Sequence, residues 1–159
     1  MENKEFDLES AYNKLKQEHN LPEFEKLAED FDIEKIFDKE PLFLVREIRR
    51  TISEKLSAYM HLFETLINPS APSMFIFSVL RGVKEEDKEL IRELYKKLSK
   101  SQIEVMKLDT IYSEQGEIKF IKDIFTEWQD LKKTIYGIIE NLDKNIEKDN
   151  VSKKQGYFG

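Results

Sequence analysis

The chain of 159 residues contains no cysteine. This absence excludes disulfides, thiolate nucleophiles and zinc sites built on cysteine. A chain of this length buries roughly 70% of its unfolded surface, so a single hydrophobic core is sufficient without covalent or metal cross-links. We therefore expect one domain, and the missing cysteines fit a reducing compartment.

Turn-forming residues are also scarce, with five glycines and four prolines, whereas 36% of the residues are charged. All-β proteins need more turn residues than this, so the composition favours an all-α fold. The formal net charge is −6, which argues against a general affinity for nucleic acid. The acidity belongs to residues 1–43, which hold thirteen acids and six lysines.

No long apolar segment is present. The start of the chain, MENKEFDLES, lacks the apolar region of a secretory signal peptide. The longest uncharged run, Thr65–Leu80, is too short to span a bilayer and contains Pro69 and Pro72. The sequence therefore predicts a soluble cytoplasmic protein that does not enter a membrane.

Motifs for catalysis are missing as well. The sequence has no glycine-rich phosphate loop, no Gly-x-Ser-x-Gly and no His-Glu-x-x-His. A di-metal helical bundle needs a glutamate three residues before each histidine ligand, and neither His19 nor His61 has one. We assign the acidic run 85–87 to the positive end of a helix dipole. The sequence predicts no enzyme, no cofactor and no metal.

Three long segments repeat apolar residues at spacings of three and four, the period of amphipathic helices. They are Pro41–Ile67, Glu85–Tyr112 and Ile118–Lys148. Their predicted core stripes are Val45, Ile48, Ile52, Leu56, Tyr59, Phe63 and Leu66; then Leu90, Leu94, Leu98, Ser101, Val105, Leu108 and Tyr112; and last Ile121, Ile124, Trp128, Leu131, Ile135, Ile138 and Leu142. No stripe contains a glutamate, a further argument against a di-iron bundle.

Short links, at 68–84 and 113–117, make consecutive helices antiparallel neighbours. We therefore predict an all-α fold, an up-down-up bundle of three long antiparallel helices with a short N-terminal helical layer. The layer is an acidic arm at 7–38, in which one helix is capped by Asp7 and a second begins at Pro22.

The predicted domain covers residues 1–148, with the three-helix core at 41–148. Residues 149–159 lack periodicity and are expected to form a flexible tail. In that tail Tyr157 and Phe158 are either a docking motif or fold back on the bundle. The regular heptads at 121–142 also allow a homo-oligomer through an intermolecular coiled coil.

The stretch LFLVREIRR places Arg46, Arg49 and Arg50 close together, with Arg49 at the edge of the buried face. Only Arg50 has carboxylates one helical turn away, at Glu47 and Glu54. Three alternatives remain open for the others. The arginines pair with carboxylates of the arm, they bind a phosphate, or the arm covers them until a phosphate competes. The arm carboxylates are Glu23, Glu25, Glu29, Asp30, Asp32 and Glu34.

The segment 68–82 is nearly free of charge and rich in large apolar residues. Its apolar side chains are Met74, Phe75, Ile76, Phe77, Val79 and Leu80. Either most of them plug the end of the bundle as core, or Met74, Phe75 and Phe77 form an exposed protein interface.

The segments LPEFEKL, LVREIRRTISEK and FIKDIFTEW resemble small all-helical archaeal proteins with no assigned function. The resemblance extends over residues 6–145 and implies a compact helical domain and an archaeal source, with no activity or site residue. From the residues themselves we predict a non-enzymatic protein-interaction or scaffold module. The alternative is a nucleic-acid- or ribosome-associated factor that contacts phosphate through Arg46, Arg49 and Arg50.

Overall fold

The computed structural model describes residues 6–36 and 42–155. These residues form six α-helices and a 3₁₀ turn at Ile33–Lys35, with no strand among them. The helices are α1 (Leu8–His19), α2 (Phe24–Phe31), α3 (Leu44–Ile67), α4 (Met74–Gly82), α5 (Glu85–Thr110) and α6 (Glu114–Gln155). The predicted all-α class is confirmed.

The last helix is longer than the sequence analysis predicts. Helix α6 continues through Gln155, so the predicted end of the helical part at Lys148 is wrong. The physical reason is that residues 149–155 contain neither glycine nor proline, the two residues that most disfavour a helix interior. Tyr157 and Phe158 lie outside the described residues.

The chain divides into two compact units. Unit 1 consists of residues 1–58 and 100–128, and unit 2 consists of residues 59–99 and 129–159. Helices α3, α5 and α6 each contribute one segment to each unit, whereas the arm belongs to unit 1 and α4 to unit 2.

The arm in unit 1 is a pair of short helices tied together by one tyrosine. Asp7 caps α1 by accepting a hydrogen bond from the Ser10 amide, and the chain turns at Asn20 in the left-handed conformation. Tyr12 is fully buried, and its hydroxyl donates to the Pro22 carbonyl at 2.7 Å. Burial, together with the negative charge of Glu23, raises the pKa of the Tyr12 phenol. The phenol therefore stays protonated and keeps its role as donor.

Helix α2 packs against the α3 and α6 segments of unit 1. The Phe31 ring lies 5.4 Å from the Trp128 ring, measured between ring centroids. The Lys55 ammonium lies over the Trp128 ring, 5.8 Å from its centroid. It also donates a hydrogen bond to the Asp30 carbonyl. These contacts bury an aromatic core between the arm and the long helices.

Two contacts give the direction of α5 relative to α3 within unit 1. Arg49 contacts Asp109, whereas Ser57, two turns further along α3, donates to Gln102 at 3.0 Å. Residue numbers therefore rise along one helix as they fall along the other, and the two segments are antiparallel. The up-down-up topology of the whole bundle stays a prediction.

The predicted core stripe of α5 needs a correction at both ends. Leu90 and Tyr112 are exposed, whereas Asp87 and Ile91 are buried. The buried stripe begins at Asp87. The Asp87 carboxylate is satisfied there because it accepts a hydrogen bond from the Lys84 amide at 3.2 Å and so caps the start of the helix. From Asp87 the 4-3-4 spacing leads to Ile91, Leu94 and Leu98.

All seven residues of the predicted α6 stripe, from Ile121 to Leu142, are buried within the single chain. The stripe therefore contributes to the core of the single chain. The homo-oligomer through residues 121–142 stays a prediction.

Two glycines allow a matched test of the helical packing. Nothing lies within 4 Å of a Cβ added at Gly137, whereas a Cβ at Gly82 would lie 3.0 Å from Asn145 Cβ. We expect Gly137→Ala to raise the free energy of unfolding by about 0.5–1 kcal/mol, since glycine is the weaker helix former. Gly82→Ala should lack this gain because of the close approach. Urea denaturation measures both, and an equal gain at the two sites would contradict the packing of α4.

Candidate functional site

The predicted arginine cluster lies in unit 1, and its centre is a buried ion pair. Arg49 is 1% exposed, and Glu117 of α6 is 0% exposed. Arg49 Nε donates to Glu117 Oε2 at 2.6 Å, and Arg49 Nη2 lies 3.3 Å from Oε1 of the same carboxylate. A further hydrogen bond of 2.6 Å joins Arg49 Nη2 to Asp109 Oδ1. One guanidinium thus binds carboxylates from α5 and α6.

The first turn of α6 positions the carboxylate of Glu117. Ser113 caps the helix, with its hydroxyl oxygen accepting from the Gly116 amide at 3.1 Å. A Cβ at Gly116 would lie 2.7 Å from Leu108 Cδ2, so the first turn of α6 lies close to the end of α5 and a larger residue at 116 would displace the Leu108 side chain. The next residue along the chain is Glu117, which reaches Arg49.

Arg46 lies one turn earlier on α3 and completes the cluster. Its Nε is 3.7 Å from Glu117 Oε1, too long for a hydrogen bond, and its Nη2 donates to the Leu108 carbonyl at 3.4 Å. The guanidinium also lies over the Tyr112 ring, 5.3 Å from the centroid. Two arginines therefore face two carboxylates, and the cluster is close to neutral.

Burial disfavours the charged form of the Arg49 guanidinium. The hydrogen bonds that it donates to the Glu117 and Asp109 carboxylates favour the charged form, and their effect is the larger one. The pKa of Arg49 consequently lies above its usual value. The group is permanently charged, and its N–H groups point into the interior rather than to solvent.

These contacts bear on the predicted pairing of the arginines. The carboxylates that hold Arg46 and Arg49 come from α5 and α6, so the predicted pairing with the acidic arm is wrong. The reason is that chain connectivity brings Asp109 and Glu117 beside α3. Arg50 is exposed and pairs with Glu47 at 2.9 Å, as predicted from their spacing.

Glu117 is the residue that the sequence analysis missed. The statement that the core stripes contain no glutamate is wrong, because the α6 stripe extends one step further back. Glu117, Ile121, Ile124 and Trp128 follow the same 4-3-4 spacing, and this spacing was the available signal. A single buried glutamate does not create a di-metal centre. Residues 6–36 and 42–155 contain no group of three or more side chains that could together bind a metal ion.

The segment 68–82 contains α4, which belongs to unit 2. Ser73 caps the helix, and Val79 and Gly82 are its buried residues. Met74 is 82% exposed, Phe75 70% and Phe77 45%. The alternative that made most of the apolar side chains core is therefore wrong, because Val79 alone of the six is buried, with Ile76 and Leu80 half-buried.

Helix α4 is anchored by its contact with α6. Asn145 Nδ2 donates to the Gly82 carbonyl at 2.6 Å, which satisfies one of the carbonyls at the end of α4. The absence of a side chain at Gly82 permits this close approach. The C-terminal end is thus fixed, while Met74, Phe75 and Phe77 are exposed.

One cation accompanies this exposed apolar face. The Arg81 guanidinium lies over the Phe77 ring, 4.6 Å from the centroid. Between Glu64 and Glu85 the only charged residues are Arg81 and Lys84. We call the group formed by Met74, Phe75, Phe77 and Arg81 the α4 surface.

Comparison of the chain with protein-family models, with curated proteins and with solved structures finds no match. In the described part of the chain, no helix has the length and apolar character needed to cross a membrane.

The buried ion pair makes a prediction about stability. Arg49→Met leaves the Glu117 carboxylate buried without its main partner, and we expect a loss of about 3–5 kcal/mol in the free energy of unfolding. Adding Glu117→Leu should restore much of this loss, because no unpaired buried charge then remains. Urea denaturation of the single and double variants measures the difference.

Arg50→Met is the matched control, since Arg50 lies on the same helix but its ion pair with Glu47 is exposed. It should cost less than about 1 kcal/mol. A loss at Arg49 no larger than that at Arg50 would mean that the ion pair is not buried.

Proposed function

We propose that the chain is a non-enzymatic protein-interaction module that binds a protein partner through the α4 surface. The observation that carries the proposal is the exposure of three large apolar side chains, Met74, Phe75 and Phe77, within four positions of one helix. Contiguous exposed apolar residues of this kind mark interaction sites on soluble proteins.

The residue types of the α4 surface support this proposal. Aromatic residues, methionine and arginine are enriched in protein interfaces, and aromatic residues and arginine dominate the binding free energy. A large aromatic residue has about 150–250 Å² of surface that can be buried. Phe75 is 70% exposed and Phe77 45%, so each ring has part of this area left to bury against a partner, and the costs of association offset part of the gain.

The anchoring of α4 supports the proposal in a second way. The hydrogen bond between Asn145 and the Gly82 carbonyl fixes the helix before any partner binds. Apolar side chains presented on a fixed helix lose less conformational entropy on binding than the same side chains on a disordered segment.

The phosphate-binding alternative receives no such support. Arg49 is buried against Glu117 and Asp109, Arg46 faces the same carboxylates, and Arg50 pairs with Glu47. An incoming phosphate would have to displace carboxylates from each of them.

Two hypotheses accompany the proposed function, namely a cytoplasmic location and a relationship to small archaeal helical proteins.

The proposed function predicts the behaviour of a double variant. Phe75→Ala with Phe77→Ala removes both rings, and we expect loss of partner capture from a lysate of the source organism with an unchanged helical circular dichroism signal. Tyr136→Ala is the control, because Tyr136 is also an exposed aromatic residue of unit 2 but lies on α6.

The lysate is divided into nuclease-treated and untreated halves, and captured proteins are read by mass spectrometry. Defined proteins that survive nuclease treatment and are lost only with the double variant support the proposal. Wild-type capture by the folded double variant would sink it, as would a captured set that disappears with nuclease.

A further inference from the structure

We propose that the partner segment is acidic as well as apolar, placing a carboxylate against Arg81 while its apolar side chains cover Met74 and Phe77. This inference rests on the proposed function, since it names the chemistry of the ligand that the α4 surface takes. It follows from three observations, on geometry, on pairing and on local charge.

The first observation is that apolar and cationic groups share one face of α4. Met74, Phe77 and Arg81 stand at positions i, i+3 and i+7, which align on one side of a helix. The Arg81 guanidinium lies over the Phe77 ring at 4.6 Å. This stacking holds the planar N–H groups beside the apolar stripe, so one ligand can contact both.

The second observation is that Arg81 differs from the other arginines. The sequence has five arginines, and Arg46, Arg49, Arg50 and Arg92 each contact a carboxylate. Arg81 is exposed, and among the described residues its recorded interaction is with the Phe77 ring. Its guanidinium therefore offers a free fork of donors, which matches a carboxylate in a bidentate hydrogen bond.

The third observation is the local sign of charge. Residues 65–84 contain no acid and two cations, Arg81 and Lys84, on a chain whose net charge is −6. A basic apolar surface on an acidic protein favours ligands of the opposite charge and disfavours basic ones. Charge complementarity thus selects an acidic segment rather than a neutral or basic one.

The same charges favour a carboxylate ligand over a polyanion. Nucleic acids and anionic membranes gain affinity from many phosphate contacts at once. The α4 surface supplies one arginine with one lysine nearby, and the rest of the acidic chain repels a polyanion. A peptide with one or two well-placed carboxylates avoids this repulsion.

The size of the surface bounds the ligand. Seven helical steps separate Met74 from Arg81, a length of about 10 Å at ~1.5 Å per residue. About two turns of a partner helix, or three to four extended residues, cover this distance. A short linear segment is sufficient.

The test is a selection from a random peptide library displayed on phage, using the purified full chain as bait. Wild-type protein should enrich peptides with Asp or Glu near aromatic or aliphatic residues. Arg81→Glu should instead enrich Lys or Arg at that position. A synthetic peptide of the wild-type consensus should bind Arg81→Glu about 10- to 100-fold more weakly, as expected for loss of a charge-assisted hydrogen bond.

Arg92→Glu is the matched control, because Arg92 is an exposed arginine of unit 2 on α5. It should keep the wild-type peptide preference and affinity. If Arg81→Glu also keeps both, while Phe77→Ala abolishes binding, the acidic-ligand inference is overturned and the proposed function stands.

Failure of both ideas has a different signature. If wild-type protein enriches no peptide that Phe77→Ala fails to bind, the α4 surface is not a peptide-binding site and both proposals fall.

Binding to vesicles of phosphatidylserine and phosphatidylcholine is the last measurement. Binding to them that depends on Phe77 would identify a lipid ligand and overturn the acidic-peptide inference.

Discussion

The buried ion pair between Arg49 and Glu117 is the interaction on which unit 1 depends. A charged group in a protein interior needs an opposite charge and hydrogen bonds, and this guanidinium has both. The contact fixes α3 against the beginning of α6 and the end of α5, which is also where Gly116 brings the two helices close together. Arg49 is thereby assigned to the core of unit 1.

That assignment moves the functional question to the other unit. With Arg46 and Arg49 facing carboxylates, Arg81 is the arginine for which the described residues show a ring contact and no ion pair. The two sites show opposite uses of arginine. Arg49 is paired with the buried Glu117 and the half-exposed Asp109, whereas Arg81 stacks on an aromatic ring and is exposed. A difference in local pairing, and not in residue type, separates the buried arginine from the one that we propose binds a ligand.

Periodicity along the sequence was sufficient to predict the helices and most of the core, because each stripe reports on a single helix. The partner of Arg49 lies 68 residues away along the chain, and spacing within one helix cannot supply such a contact. Its identity could be approached only by extending the α6 stripe back to Glu117. The pattern left open whether Phe75 is core or exposed, because the number of apolar residues in a segment does not show which of them pack. The sequence thus predicted elements well and contacts between distant elements poorly.

The most direct test of the buried ion pair is arginine modification by phenylglyoxal under native conditions, followed residue by residue with mass spectrometry. The reagent reacts with guanidinium groups that solvent can reach, so one experiment compares the buried and the exposed arginine in the same molecule. The account predicts rapid modification of Arg81 and protection of Arg49 until the chain unfolds. Modification of Arg49 in the folded chain as fast as that of Arg81 would contradict both the buried ion pair and the difference in exposure between the two arginines.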